Sequence, residues 1–591
     1  MSIQHREGHT VPSEAQAPPP GFERSLFGRV SPADLDQYPP AEVSAFAAVA
    51  WTHLRERHEP GQESIRLVDR DVMCNGRPRD LTILQVVNDN MPFLLDSTLA
   101  ELTERGMDIR FVAHPILSVE RAGDGSLVRF AGEAAASGQP GTRRESLIQV
   151  HLDRIDDPAV REALVESLER VYADVRVAVR DWGAMRGRVA GLGYIYRSNP
   201  PPLPAEEIAE AVAFIDWLAA DNFTLLGVRE YRYAQDVAGE DAVDGTGLGI
   251  LADPDVKVLR RGRELVTTTP EIRSFLTEPV PLIVTKASVK SRVHRRVHLD
   301  YVGVKQYSAE GILVGELRIV GLFTSSAYTE TTAAIPYVRH KVTQVLRRAG
   351  YDPASHSGRA LMNVLENYPR DELFQIDTET LLSFSTEIMR LYERPRVLAL
   401  PRPDRFDRFV SVLVYIPKDR YDSAVRQKVG EALAKLFEGR YSAGYPAYPE
   451  GPLERTHSVI ARYEGPTPQV DRAAATAAVD AVVRTWSDAL KDCLLQSSDP
   501  ARARTLSHRF GNAFSAAYRE AVDPADAVAD IAVLERLSEE RRFSVRIARR
   551  KDDGDGRIAL MMFSHGASLP LSERVPMLEN LGFRVVSERT Y

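Results

Sequence analysis

The sequence predicts a multidomain α+β protein in which ferredoxin-like modules of order β-α-β-β-α-β repeat around an inserted sensor-like α+β domain and helical connectors. Three observations predict it. A strand, a short turn and an amphipathic helix follow one another at residues 81–105, at 409–438 and at 557–581. In the first two copies, further strands and a long helix follow in the same order. The stretch between these copies, residues 205–335, carries strand patterns of a different texture. The repeat period is irregular, so the copies are separate modules and not a solenoid.

Residues 1–80 read as a polar, proline-rich tail and a helical segment. The tail has no apolar core of the signal-peptide kind and is expected to be disordered. The first module is placed at 81–182. Its apolar strand 81–87 runs into the turn Asn88-Asp89-Asn90-Met91-Pro92-Phe93, then into helix 94–105 with Leu95, Thr98, Leu99 and Leu102 on one face. Pro92 suits the first turn of that helix, where no intrahelical N–H bond is lost. Asn88, Asp89 or Asn90 can cap its open amides, and those amides suit a small polar or anionic ligand. A plain connection between strand and helix is the competing reading. Gly106 stops the helix. A strand over 107–119, a turn at Gly123-Asp124-Gly125, a glycine-rich loop and a strand over 147–152 follow. Asp156-Asp157-Pro158 then opens a helix to about Tyr172, with a last strand expected over 175–179.

Pro200, Pro201 and Pro202 mark a linker into the sensor-like domain at 205–335. That domain reads as a helix over 206–219 and strands over 223–233, 249–251, 280–285, 297–307 and 311–323, an antiparallel sheet. A helical connector at 336–400 is stopped by Gly350 and Pro369, and Pro395, Pro401 and Pro403 mark the next boundary. The second module, 405–495, reads as strand 409–417, the turn Lys418-Asp419-Arg420, helix 421–438 with Val425, Val429, Leu433 and Leu436, strands 441–447 and 454–463, and a helix over 471–494. A second helical connector occupies 496–540. The third module, 541–591, shows strand 557–563, the loop around His565-Gly566, a helix carrying Val575, Leu578 and Leu581, and a strand over 583–587. A sheet of that size leaves an open edge. The expectation is a front portion of a longer protein or a prematurely ended one; a partner chain completing the sheet is the alternative.

The net charge of -8 disfavours bulk nucleic-acid binding. Two distant cysteines, Cys74 and Cys493, suggest a reducing compartment without a disulfide framework. No uncharged apolar run of membrane-spanning length occurs; 311–323 is broken by Glu316 and Arg318. A cytoplasmic protein without membrane contact is expected. Chemistry-bearing motifs are scarce. The run Gly245-Thr246-Gly247-Leu248-Gly249-Ile250 ends in Ile250 where a dinucleotide fingerprint needs glycine, so it reads as a loop, with phosphate binding as the lesser alternative. His294 and His298 have metal-like spacing, but Val293, Val297, Leu299 and Tyr301 favour a strand. That strand puts His294, Arg296, His298 and Asp300 on one polar face, either solvated or anion-binding. Lys286, Lys290, Arg292, Arg295 and Lys305 invite an RNA reading, which the interleaved valines disfavour.

Several blocks together resemble the N-terminal region of the large bacterial NAD-specific glutamate dehydrogenases. They are VVNDNMPFLLDS at 86–97, residues 109–115, Phe323-Thr324-Ser325-Ser326-Ala327-Tyr328, residues 365–374, Arg394-Pro395-Arg396, Tyr518 and residues 523–530. The resemblance implies that the repeated modules are of the ACT type. It implies that the full-length protein converts L-glutamate, NAD and water to 2-oxoglutarate, ammonia and NADH. The family's catalytic lysine and nucleotide motif have no counterpart here, so this chain is expected to hold no catalytic residue, no NAD and no metal. It would act in regulation and self-association. The resemblance places an effector, a small amino acid, at Asn88, Asp89, Asn90, Met91 and Phe93, although Phe93 stands where many amino-acid-binding ACT modules have glycine. A stand-alone amino-acid-sensing protein without catalysis is the alternative.

Overall fold

A computed structural model describes residues 17–134, 140–233, 240–256, 258–261, 264–265, 278–449, 451–463, 465–548, 557–568 and 570–591. The expected N-terminal tail lies mostly outside the described residues. The chain divides into two compact units, Met1–Arg394 with Arg402–Ser411 and Ala461–Thr467, and Pro395–Pro401 with Val412–Ile460 and Pro468–Tyr591.

The first unit opens with helices α1 (Phe22–Phe27), α2 (Pro32–Leu35) and α3 (Pro40–Leu54). Next come β1 (Ser64–Cys74), β2 (Arg77–Asp89), α4 (Leu94–Glu104), β3 (Ile109–Ala113), β4 (Ile116–Arg121), β5 (Leu127–Glu133) and β6 (Arg143–Asp153). The sheet order is β1-β2-β6-β4-β5, with β3 also on β6. Both faces are buried. Leu81, Ile83, Val87, Leu147 and Phe111 pack under Phe22, Phe46 and Leu54. Leu84, Val86, Ile148 and Val150 pack against Leu94, Leu102, Leu168 and Tyr172. The strand expected over 107–119 is two, because His114-Pro115 breaks the ladder on β6. The expected glycine-rich loop contains β5.

Helix α5 (Pro158–Ser198) starts under an Asp157 cap on the Ala159 amide and runs 41 residues, about 60 Å. The strand expected over 175–179 is therefore helix. The β-branched alternation of Val175, Val177 and Val179 loses to the helical spacing of Leu164, Leu168, Val171, Val175, Met185, Val189, Leu192 and Tyr196, whose stripe is buried. The edge that strand would have taken is already filled by β1, antiparallel to β2.

The far half of α5 packs on α6 (Ala205–Trp217) and on a second sheet. Its strands are β7 (Phe223–Tyr233), β8 (Glu240–Ala242), β9 (Leu248–Gly249), then β12 (Leu282–Lys290), β13 (His298–Tyr307) and β14 (Leu313–Phe323), after the short pair β10 (Arg260–Arg261) and β11 (Glu264–Leu265). The order is β12-β13-β14-β7-β8, antiparallel. Leu226, Leu251, Tyr301 and Val320 join the same core cluster as Leu84 and Tyr172, so the two sheets share one core along α5. Helices α7 (Ser325–Thr329), α8 (Val338–Ala349), α9 (His356–Glu366), α10 (Arg370–Gln375) and α11 (Thr378–Glu393) follow. Gly350 ends α8 at φ 71, a left-handed cap that a side chain resists.

A four-stranded sheet, most of it in the second unit, has the order β15-β16-β18-β17, from β15 (Leu398–Pro403), β16 (Phe409–Pro417), β17 (Arg440–Ala447) and β18 (Leu453–Ala461). Pro401 and Pro403, expected to mark a boundary, lie in β15. An edge strand tolerates them because no ladder N–H is required on its open side. Helix α12 (Ser423–Leu436) is capped by Asp422. The single helix expected over 471–494 is broken into α13 (Arg472–Val483) and α14 (Trp486–Ser497), because Thr485 and Asp488 form a capping box. Helices α15 (Pro500–Phe510), α16 (Ala516–Ala521) and α17 (Pro524–Leu534) make the second connector. The hairpin β19 (Phe543–Ala548) and β20 (Ala559–Ser564) precedes α18 (Leu571–Asn580). Residues 583–587, expected as a strand, form none, and Phe583 and Val586 are exposed.

All three modules therefore begin with two neighbouring strands and then a helix. The edge place that a β-α-β-β-α-β order gives to a final strand is taken in the first two modules by a strand from upstream, β1 and β15.

Candidate functional site

The turn between β2 and α4 sits where strand register forces neighbouring residues onto opposite faces of the first sheet. Asn88 lies on the α4 face, opposite Ser146 in the ladder. It is 1% exposed, and neither amide atom has a hydrogen-bond partner. Ser146 Oγ lies 2.8 Å from His114 Nε2, and burial pulls the His114 pKa down. Asp89 lies on the α3 face. Its Oδ2 accepts from the Gly61 amide at 2.7 Å, and Oδ1 is 3.7 Å from His58 Nε2. The nearby His58 imidazole and the Gly61 amide hold its carboxyl below the usual value. The Asn90 amide donates to Arg144 O at 3.0 Å. Met91 and Phe93 pack partly buried against the shared core.

The capping differs from the one expected. Helix α4 begins at Leu94, so Pro92 precedes the helix rather than entering its first turn. The N-cap is Phe93, and no side chain caps the helix. Phe93 has φ 72, the left-handed region. A glycine conformation is thus kept at this position without glycine.

Loop 291–297 of the second sheet lies against the start of α4. The His294 amide donates to Ser97 Oγ at 2.8 Å, His294 Nδ1 is 2.9 Å from Asp96 Oδ2, and the His294 ring centre is 5.3 Å from that of Phe93. Further along α4, Arg296 pairs with Glu101 and Lys290 with Glu104. Residues 293–297 are therefore a loop, not the strand expected, and His294 turns out at φ 66. His298 instead faces Ala287 O at 3.2 Å. No group of side chains that could hold a metal occurs among the described residues. The basic run is occupied internally: Lys286 by Asp300 and Asp371, Arg292 by Asp174, Arg295 by Phe323 O, Lys305 by Glu316. In the glycine run at 245–249, Gly247 and Gly249 are packing devices. A Cβ on Gly249 would lie 2.2 Å from Leu226 O, and one on Gly247 would lie 2.3 Å from Leu251 O. Asp96, Ser97 and His294 form a group that no local sequence pattern joins, because the positions are so distant.

The profile of the glutamate dehydrogenase ACT1 domain matches residues 22–168, helical motif 1 matches 335–394, ACT2 matches 398–487, helical motif 2 matches 494–537 and ACT3 matches 542–591. The chain belongs to the NAD-specific glutamate dehydrogenase family. It is 32% identical to the NAD-specific glutamate dehydrogenase of Halomonas elongata, over 92% of this chain and 34% of that protein. It is 30% identical to that of Pseudomonas aeruginosa, over 96% of this chain and 35% of the relative. The Mycobacterium tuberculosis enzyme is 30% identical over 86% of this chain and 30% of its own length. The chain thus spans about a third of the curated relatives it matches, and what it covers is the ACT-domain part of these glutamate dehydrogenases. No helix among the described residues is long and apolar enough to cross a membrane.

Proposed function

We propose that this chain is the regulatory and oligomerisation part of a glutamate dehydrogenase that, at full length, oxidatively deaminates L-glutamate to 2-oxoglutarate and ammonia with NAD in the cytoplasm. The chain itself holds neither NAD nor catalysis. The β2–α4 turn binds a small amino acid or related carboxylate through Asn88, Asp89, Asn90, Met91 and Phe93. One observation carries the effector reading. After a left-handed turn α4 starts with no side-chain cap on its amides, and Asn88, on the same face of the sheet, has a buried amide without a partner. The helix field favours the ligand's carboxylate there. Asp89, which ends β2 on the opposite face, would turn from the Gly61 amide to take its ammonium group.

Calorimetric titration of the purified chain with a panel of amino acids tests this. Removing one charge-assisted contact costs about 1.5–3 kcal/mol, so Asp89→Ala weakens binding roughly 10- to 150-fold with little change in circular dichroism. No heat from any amino acid sinks the effector reading. Glutamate-dependent NADH formation that follows the chain through purification sinks the non-catalytic one. Light scattering tests self-association: a dimer or larger species is expected, and a monomer at tens of micromolar counts against it.

A further inference from the structure

Among the described residues, seven other than glycine hold a positive φ, and two of them touch: Phe93 at 72 and His294 at 66, with ring centres 5.3 Å apart. A bulky side chain in the left-handed region is strained, and such strain persists where the surroundings over-determine it. Phe93 ends the effector turn of the first sheet, and His294 is the middle residue of loop 291–297, which joins β12 to β13 in the second. Each strained residue therefore leans on the other, between two sheets that share one core.

The loop is firm at its base and weak at His294. The Ser291 amide donates to Val297 O at 2.8 Å, Ser291 Oγ donates to Val293 O at 2.7 Å, and Val293 is buried in the shared core. Arg292 pairs with Asp174 on α5 at 2.8 Å, and Arg296 pairs with Glu101, whose side chain is 3% exposed. His294 is held by Ser97 Oγ, by the Phe93 ring and by Asp96, whose side chain is 56% exposed. Water screens an exposed pair far more than a buried one. The next residue carries the loop inward. Arg295 donates to Phe323 O at 2.6 Å at the end of β14, and the Phe323 ring stacks on that of Phe374 in α10 at 4.1 Å. One chain of contacts thus runs from the effector turn through His294 and Arg295 to the second sheet and α10.

We propose that the Phe93–His294 contact couples the effector turn to the second sheet, a regulatory device that rests on the amino-acid site proposed at that turn. An amino acid seated on the first amides of α4 takes the space beside the N-cap, where the Phe93 ring now packs. The ring then leaves His294, the His294 backbone relaxes out of the left-handed region, and Arg295 loosens its bond to Phe323 O. Two states follow: one with both residues left-handed and in contact, one with both released. The ligand favours the second because only there is its space open. That is the differential affinity any ligand-driven shift requires, acting on an element with two discrete arrangements.

Hydrogen exchange of the full chain, with and without L-glutamate at about 10 mM, tests the coupling. Without ligand, Phe93→Ala and His294→Ala each speed exchange at amides 293–297 roughly tenfold and at 323–327 roughly threefold. The double variant exchanges no faster than His294→Ala, because both changes break one contact. With L-glutamate, the wild type gains protection at 88–97 and loses it at 293–297 and 323–327, while in His294→Ala the rates at 323–327 no longer respond. His294 is a partly exposed loop side chain, so His294→Ala decides where Phe93→Ala fails to fold. Where L-glutamate protects nothing at 88–97, the ligand arm falls with the effector reading, and the variants alone decide the coupling. Wild-type rates at 323–327 in both variants, additive effects in the double variant, or protection at 88–97 with 293–297 unchanged each overturn the proposal.

Discussion

Asp96 and His294 stand 198 positions apart in the chain, yet the Asp96 carboxylate meets His294 Nδ1 at 2.9 Å. The contact fastens the helix start of one sheet to a loop of the next, at the place where an effector is proposed to bind. The Asp96 side chain is more than half exposed, so the pair adds only about 0.2–1 kcal/mol to stability. Its larger effect is local. Asp96→Ala is expected to shift the urea midpoint slightly while amides 291–297 exchange hydrogen measurably faster. Unchanged exchange in that loop means that the Ser97 and Glu101 contacts hold it without Asp96.

Asn88 gives a sharper test, because its amide is buried and lacks any partner. A buried polar group left unsatisfied costs about 1–3 kcal/mol, which an apolar side chain of similar size does not incur. Asn88→Leu should therefore raise the thermal midpoint of the free chain and abolish amino-acid binding. A lower midpoint would show that an ordered water already satisfies the amide in the free chain.

Strands with continuous apolar runs, such as β2 and β16, were legible in the sequence, as were helices with clear stripes. The upstream strand of each module was not. In β1 the run Ile65, Leu67, Asp69, Asp71 mixes charge into a half-buried edge, and β15 carries two prolines. The continuation of α5 beyond Tyr172 was not legible because Val175, Val177 and Val179 alternate at strand period. The effector turn was legible as a turn, but not its left-handed Phe93, since phenylalanine is a poor advertisement for positive φ. The loop that packs on α4 could not be read at all, because a contact across nearly 200 residues leaves no local periodicity.

The N-terminal face of the first sheet should be acid-sensitive. His53 donates or accepts at Ser64 Oγ, 2.8 Å away, and His151 is enclosed by the rings of Phe46 and Phe111 at 4.4 and 4.6 Å. Burial, above all, lowers both pKa values to about 3. Above the ordinary value of 6.5 both states of the protein hold these imidazoles neutral, and there is no penalty. Below it the unfolded chain takes up protons that the folded chain refuses, so stability falls as pH drops from about 6.5 toward 3. The slope is up to about 1.4 kcal/mol per pH unit for each histidine. Urea midpoints at pH 7 and pH 5 should differ accordingly, and His151→Phe should flatten the dependence. An equal slope in the variant would assign acid lability to other groups.

Phe93 combines two opposing contributions that a pair of substitutions can separate. Its ring is partly buried beside His294, 5.3 Å between centres, which favours the wild type. Its backbone at φ 72 disfavours any residue with a Cβ, by about 1–2 kcal/mol. Phe93→Ala loses the packing and keeps the strain. Phe93→Gly loses the same packing and relieves the strain, offset in part by the extra freedom of glycine in the unfolded chain. The glycine variant should therefore be more stable than the alanine variant by about 1 kcal/mol in denaturant unfolding. Equal stabilities would mean that the left-handed conformation is not held in solution. The same pair reports on function. With the ring gone, an amino acid can approach the amides of α4 directly, and with Cβ gone as well, the backbone itself is open. Affinity for the best amino acid of the panel should rise from Phe93 through Ala to Gly, by roughly tenfold overall, or about 1.4 kcal/mol. A fall in affinity along that series would make the Phe93 ring part of the ligand's binding surface instead of its obstruction.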